Sequence, residues 1–250
     1  MLLDPLLTWR QRKHWSHREA PWHSRDHLGG GRTLLALRCE EQDAEMDLTV
    51  RPLTAGQWPA LEDLFGRAGA SNGCWCMYWR IGPRYRERPR EDNKRDLERL
   101  TRSGPAPGLL AFDGDTAVGW CELAPRADLD WLARSRYFRP VDELPVWSIP
   151  CFYVRRTHRR QGVMGALIAA AVGVAASAGA PALEAYPVDT AVPGHTHNLF
   201  LGVASVFAQR GFQVVARRQP DRPVMRKSLA ASTWPPGTSR RHDGQEIKSR

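Results

Sequence analysis

The chain has 250 residues, 42% hydrophobic and 25% charged, with a formal net charge of +9. That suits one soluble globular domain with extensions, and no apolar run of membrane-spanning length is free of polar breaks. The basic excess is local, since residues 1–45 hold seven basic and seven acidic side chains, so charge alone does not make a nucleic-acid surface.

The N-terminal arm, residues 1–45, is rich in Arg, His and Trp, contains Gly29–Gly31 as a run, and shows no sustained period. It reads as a disordered extension. Its opening apolar group, Leu2 to Leu7, is too short for a secretory signal, and a cytoplasmic location is expected. Met46 precedes the first clean strand and is a candidate alternative start. From there, Asp47–Pro52 alternates as a strand and Leu53–Arg67 carries a helical stripe of Trp58, Leu61, Leu64 and Phe65. A loop of Gly, Cys and aromatics follows (SNGCWCMYWR, Ser71–Arg80), then a charged helix over Glu91–Thr101. Leu109–Phe112 and Ala117–Leu123 flank a Gly114-Asp115 turn and form a hairpin. After an irregular stretch, Val146–Gly179 reads as strand, turn and helix. Ala182–Pro187 is a strand, Val203–Arg210 a helix stopped by Gly211, and Phe212–Arg217 and Pro223–Lys227 are the last two strands. Residues 46–229 thus form one domain, and 230–250 a disordered tail.

Five cysteines at irregular spacing form no disulfide framework and no metal knuckle. Reduced thiols and no metal are expected. The residues that carry chemistry lie in Val146–Ile168, VWSIPCFYVRRTHRRQGVMGALI. Gly162 lets the main chain approach a ligand, and the helix that follows begins with N–H groups that lack internal partners. With the helix dipole and the guanidinium groups of Arg159 and Arg160, this is an anion site suited to a pyrophosphate. Pro150 cannot donate to a sheet ladder and marks a strand that splays. Free main-chain groups there suit an extended, amide-bearing ligand. A splayed strand beside a phosphate turn fits coenzyme A.

On these residues the chain resembles the GNAT superfamily of N-acetyltransferases. The family's Arg/Gln-x-x-Gly-x-Gly/Ala turn reads here Arg159-Arg160-Gln161-Gly162-Val163-Met164, then Gly165. Met164 departs from the usual Gly or Ala. The resemblance implies a mixed α/β fold with a twisted, mostly antiparallel sheet flanked by helices and splayed between its fourth and fifth strands. It implies acetyl-CoA as co-substrate, held by Phe152, Tyr153, Val154, Arg159, Arg160, Gln161, Gly162, Val163, Met164 and Gly165. It further implies transfer of an acetyl or short acyl group to an amine by direct attack; a small-molecule acceptor is favoured, and no nucleic-acid or membrane partner is expected. Where the family often has a tyrosine that protonates the departing thiolate, this chain has Phe207.

The fourth strand offers no carboxylate, only Ser148 and Cys151. Glu184 in LEAYPVD is the expected base, set against a structural carboxylate paired with an arginine; Glu122 and Asp189 are weaker alternatives. Cys151 reads as a buried strand cysteine rather than a nucleophile, although His158 lies across the turn. Trp75, Tyr78 and Trp79 are candidate linings of the acceptor pocket, set against a satellite core. His195 and His197 are read as loop residues. Two rival readings stand beside the enzyme: a catalytically weak acyl-CoA sensor and a basic nucleic-acid binder.

Overall fold

The computed structural model describes residues 48–193 and 199–229. The expected arm, the candidate start at Met46, the expected tail, His195 and His197 lie outside the described residues. Strands β1 (Leu48–Pro52), β2 (Gly108–Asp113), β3 (Thr116–Pro125), β4 (Trp147–Val154), β5 (Ala182–Ala185), β6 (Gln213–Arg217) and β7 (Pro223–Ser228) make one sheet in the order β1-β2-β3-β4-β5-β7-β6. Every pairing is antiparallel except β4 with β5. The fold is therefore the mixed α/β sheet that the sequence implied.

The helices are α1 (Trp58–Phe65), α2 (Tyr78–Ile81), α3 (Arg90–Ser103), α4 (Asp130–Ala133), α5 (Val163–Ser177) and α6 (Ala204–Gln209). The four-residue α2 and α4 fall in stretches that read as irregular, being too short to show a period. The first helix is shorter than the expected Leu53–Arg67, because a 3-10 turn over Ala55–Gln57 precedes it, Pro59 sits in its first turn, and Gly66 ends it at φ 60°, so that its apolar stripe, Trp58 to Phe65, fills it from end to end. Among the described residues no helix is long and apolar enough to cross a membrane.

Strand alternation sorts the core into two faces. Leu109, Ala111, Cys121 and Leu123 point to the α5 side, where they meet Val163, Leu167, Ile168 and Ala171. Leu110, Phe112 and Trp120 point to the other side, against Leu61, Leu64, Phe65 and Leu97 from α1 and α3. A third cluster, with Trp79, Leu129, Phe138, Tyr186 and Leu201, closes that second face beyond β4 and β5.

The break in the sheet sits at Pro150. Strand β4 pairs with β5 only through Trp147–Leu183, Ser148–Glu184 and Ile149–Ala185. From Pro150 to Val154 it continues on β3 alone. Opposite β3 it takes three steps, Ser148 to Cys151, where β3 takes two, Ala124 to Glu122. Strand β4 thus carries a bulge at Ile149–Pro150, where the missing proline N–H leaves the ladder without a donor.

Candidate active site

The gap between β4 and β5 leads toward the start of α5. After Val154 the chain makes a 3-10 turn over Arg156–His158, then Arg160 and Gly162 both adopt the left-handed conformation, φ 65° and 80°. A Cβ on Gly162 would meet nothing within 4 Å. Glycine is therefore required here by its φ, and the space in front of it is open. The first helical hydrogen bond runs from Ala166 N–H to Gly162 O, 3.0 Å, so the N–H groups of Val163, Met164 and Gly165 lie ahead of the intrahelical ladder.

The arginines around this turn divide by role. Arg155 is structural: it binds Ala117 O and forms a 2.7 Å pair with Asp63. Arg159 is half-anchored, with Nε on Val154 O at 3.3 Å. Gln161 braces the turn through Thr157 O at 3.2 Å, and His158 faces Asp113 at 3.4 Å, away from Cys151. Arg160 is exposed and has no side-chain partner among the described residues. Phe152 is buried, while Tyr153, Val154 and Met164 are half-buried along the same route. Phe207 is fully buried between Phe152 and Phe212, with ring centroids 5.9 and 5.0 Å away. No hydroxyl replaces the tyrosine there.

Glu184 and Glu122 are both about 1% exposed but differ sharply in partners. Arg226 donates to Glu184 Oε1 through Nε and Nη2, at 3.0 and 2.7 Å. Tyr186 donates to Oε2 at 3.0 Å, and Arg126 approaches the same oxygen at 3.4 Å. Ser148 Oγ is 2.8 Å from the Tyr186 hydroxyl, and Arg226 also holds Asp142 at 2.7 Å. Glu184 thus takes the arrangement of an arginine-paired structural carboxylate, buried rather than at an edge. Asp189 is likewise paired, with Arg217 at 2.9 Å.

Glu122 lies on β3 directly opposite Cys151, the first residue past Pro150. Arg80 Nε stands 3.3 Å from its Oε1, yet neither Glu122 oxygen accepts a hydrogen bond with acceptable geometry. Burial pushes its carboxyl up to about 7, with Arg80 pulling the other way. A carboxylate titrating near neutrality beside the open half of β4 has the properties of a general base. The sequence signal for this choice is faint, because it depends on which arginines reach which carboxylate.

The aromatic loop also divides. Trp75 stacks on Trp58 at 5.9 Å, packs against Phe65, and is 4% exposed. It belongs to the helical core and leaves no face for a ligand. Tyr78 is half-buried between Trp79 and Tyr85. Trp79 is buried against Phe138 with its Nε1 unsatisfied. Arg80 forms part of the wall of a shallow cleft with Ser103, Pro107, Leu123, Asp128 and Trp147.

Four thiols lie within the described residues, all unbridged. Cys76 donates to Cys151 at a sulfur–sulfur distance of 3.9 Å. This bond and burial hold the Cys76 thiol well above its ordinary value. For Cys151 the same bond acts downward, but burial and the nearby Glu122 outweigh it. Cys74 is pushed up to about 12, chiefly by burial. These are protonated thiols, unsuited to nucleophilic attack. Among the described residues no group of three or more His, Cys, Asp or Glu side chains is arranged to hold a metal ion.

Comparison with known proteins adds the family. No curated protein matches the chain. Among solved structures it is similar to yncA from Salmonella typhimurium with its cofactor acetyl-CoA, at 16% identity and a TM-score of 0.45, covering 76% of this chain and 98% of that one. It is similar to a second acetyltransferase at 18% identity and a TM-score of 0.48, covering 73% and 100%. It is also similar to histone acetyltransferase HPA2 and related acetyltransferase from Corynebacterium glutamicum, at 21% identity and a TM-score of 0.45, covering 75% and 99%. The family description that matches residues 73–199, just over half the chain, is Acetyltransferase (GNAT) family, and the chain belongs to that family.

Proposed function

We propose that this protein transfers an acetyl or short acyl group from acetyl-CoA to the amine of a small acceptor, by direct attack, and that residues 46–229 carry the activity. The observation that carries this reading is the parting of β4 from β5 after Ile149, which runs into the left-handed Gly162 and the free N–H groups of α5. Pantetheine amides lie along Cys151–Val154 in strand fashion, and the pyrophosphate sits on Val163, Met164 and Gly165 N–H with Arg159 and Arg160 beside it.

Glu122 takes the role first expected of Glu184. It accepts a proton from the acceptor ammonium, directly or through one water, so that the neutral nitrogen attacks the thioester carbonyl. The tetrahedral adduct's cationic nitrogen gives its extra proton to water, the carbon–sulfur bond breaks to leave the amide, and the CoA thiolate takes its proton from solvent, since Phe207 has none to give. Arg80 holds Glu122 short of full neutralisation and stands in the cleft wall nearby. Binding is tested by calorimetry with acetyl-CoA, and turnover by thiol release with a panel of amines. Absence of acetyl-CoA binding by the full chain overturns the whole reading. The buried Phe207 favours a second reading, an acyl-CoA sensor, and binding without turnover on any amine selects it.

A further inference from the structure

The turn before α5 does not contain every cation that faces the helix start. Arg210, the C-terminal cap residue of α6, places its Nη2 2.5 Å from where a Cβ on Gly165 would stand. Gly165 is the third residue of α5 and is buried, so the guanidinium lies over the first turn of that helix. Its backbone carbonyl is fixed by Lys227 Nζ at 2.9 Å. Its guanidinium has no hydrogen-bond or ion-pair partner among the described residues.

Helix α6 also packs against the open half of β4. Phe207, three residues before Arg210 and so on the same helical face, packs on Phe152 of the open half of β4. Around Gly202, just ahead of α6, the side chains of Phe207, Phe152 and Met164 converge, each within 3.4 Å of where a Cβ would stand. The apolar part of α6 thus packs behind the open half of β4, and its cationic end meets the first turn of α5. A guanidinium with no partner among the described residues, set against the third residue of a helix N-terminus, is arranged to receive phosphate oxygens.

We infer that Arg210 is a phosphate ligand contributed by the end of α6 to the pyrophosphate site of coenzyme A, in addition to Arg159 and Arg160. This rests on the coenzyme A reading above. It also gives Gly165 a reason: any side chain at that position would displace the guanidinium.

The test is calorimetric titration of the full chain with CoA and with dephospho-CoA, for wild type, Arg210→Gln, Gly165→Ala and the double variant, with circular dichroism as the check on folding. Loss of one charge-assisted contact predicts roughly 10- to 100-fold weaker binding in Arg210→Gln. The loss is expected to be equal for CoA and dephospho-CoA, because both carry the pyrophosphate. Gly165→Ala is expected to weaken binding alone but to add nothing in the Arg210→Gln background. Unchanged affinity in Arg210→Gln overturns the inference, as does a loss confined to CoA, which would put the contact at the 3′-phosphate. If wild type binds neither ligand, the coenzyme A reading itself fails and the inference with it.

Discussion

Replacing Glu122 by Gln tests chemistry and stability in one protein. Its carboxyl ordinarily titrates at 4.5 and is pushed up to about 7 by burial. The native state therefore holds the proton across a window where the unfolded chain has released it. Stability from this group is full below pH 4.5, falls as pH rises toward 7, and is constant above. The difference corresponds to about 3 kcal/mol for a group ionised in the fold at pH 8. Glu122→Gln is neutral at every pH, so urea unfolding followed by tryptophan fluorescence should show it about 3 kcal/mol more stable than wild type at pH 8 and nearly equal at pH 4.5. The same variant should lose roughly 100- to 10,000-fold in kcat/KM once an acceptor is in hand. The wild-type pH–rate profile should rise through about pH 7. Equal activity of the two proteins would remove Glu122 as the base, and an unchanged pH dependence of stability would refute its raised titration.

The other perturbations divide structure from catalysis. Glu184→Gln leaves Arg126 without its carboxylate and Arg226 with Asp142 alone and should cost about 3–5 kcal/mol in chemical denaturation, while the folded fraction keeps the wild-type pH–rate profile. Gly162→Val forces a β-branched residue to φ 80°; it should destabilise by roughly 1–3 kcal/mol and weaken acetyl-CoA binding in calorimetry. Incubation with acetyl-CoA in the absence of acceptor should leave the intact mass unchanged at Cys151, because its thiol is held protonated. An acetyl adduct on that residue would replace direct attack with a covalent route.

What could be read from the sequence was local. The strand, turn and helix of Val146–Ile168 are contiguous, and Pro150 and Gly162 impose their backbone constraints wherever the chain goes. The other six strands were likewise read from short contiguous segments, Asp47–Pro52 by its alternation. The choice between carboxylates was hidden because it is made by residues far away. Glu184 is claimed by Arg226, 42 positions later, and Arg126, 58 positions earlier. Among the described residues Glu122 is paired with Arg80 alone, 42 positions earlier on the short α2. Trp75 itself looked like a ligand-facing aromatic because composition cannot say which side of a loop a ring occupies. Arg210 gave no signal beyond its spacing from Phe207.

The sheet can be seen as two leaves, β1–β4 and β5–β7–β6, bound along a short spine of three residue pairs. So short a spine would be weak if it were only backbone. At the level of those pairs Ser148, Tyr186, Glu184, Arg126, Arg226 and Asp142 are linked side chain to side chain across the join. The leaves are thus riveted at one end by buried charge, and the other end stands open without a partner strand. Glu184 accordingly ties the two leaves together at their closed end, one residue pair before they part.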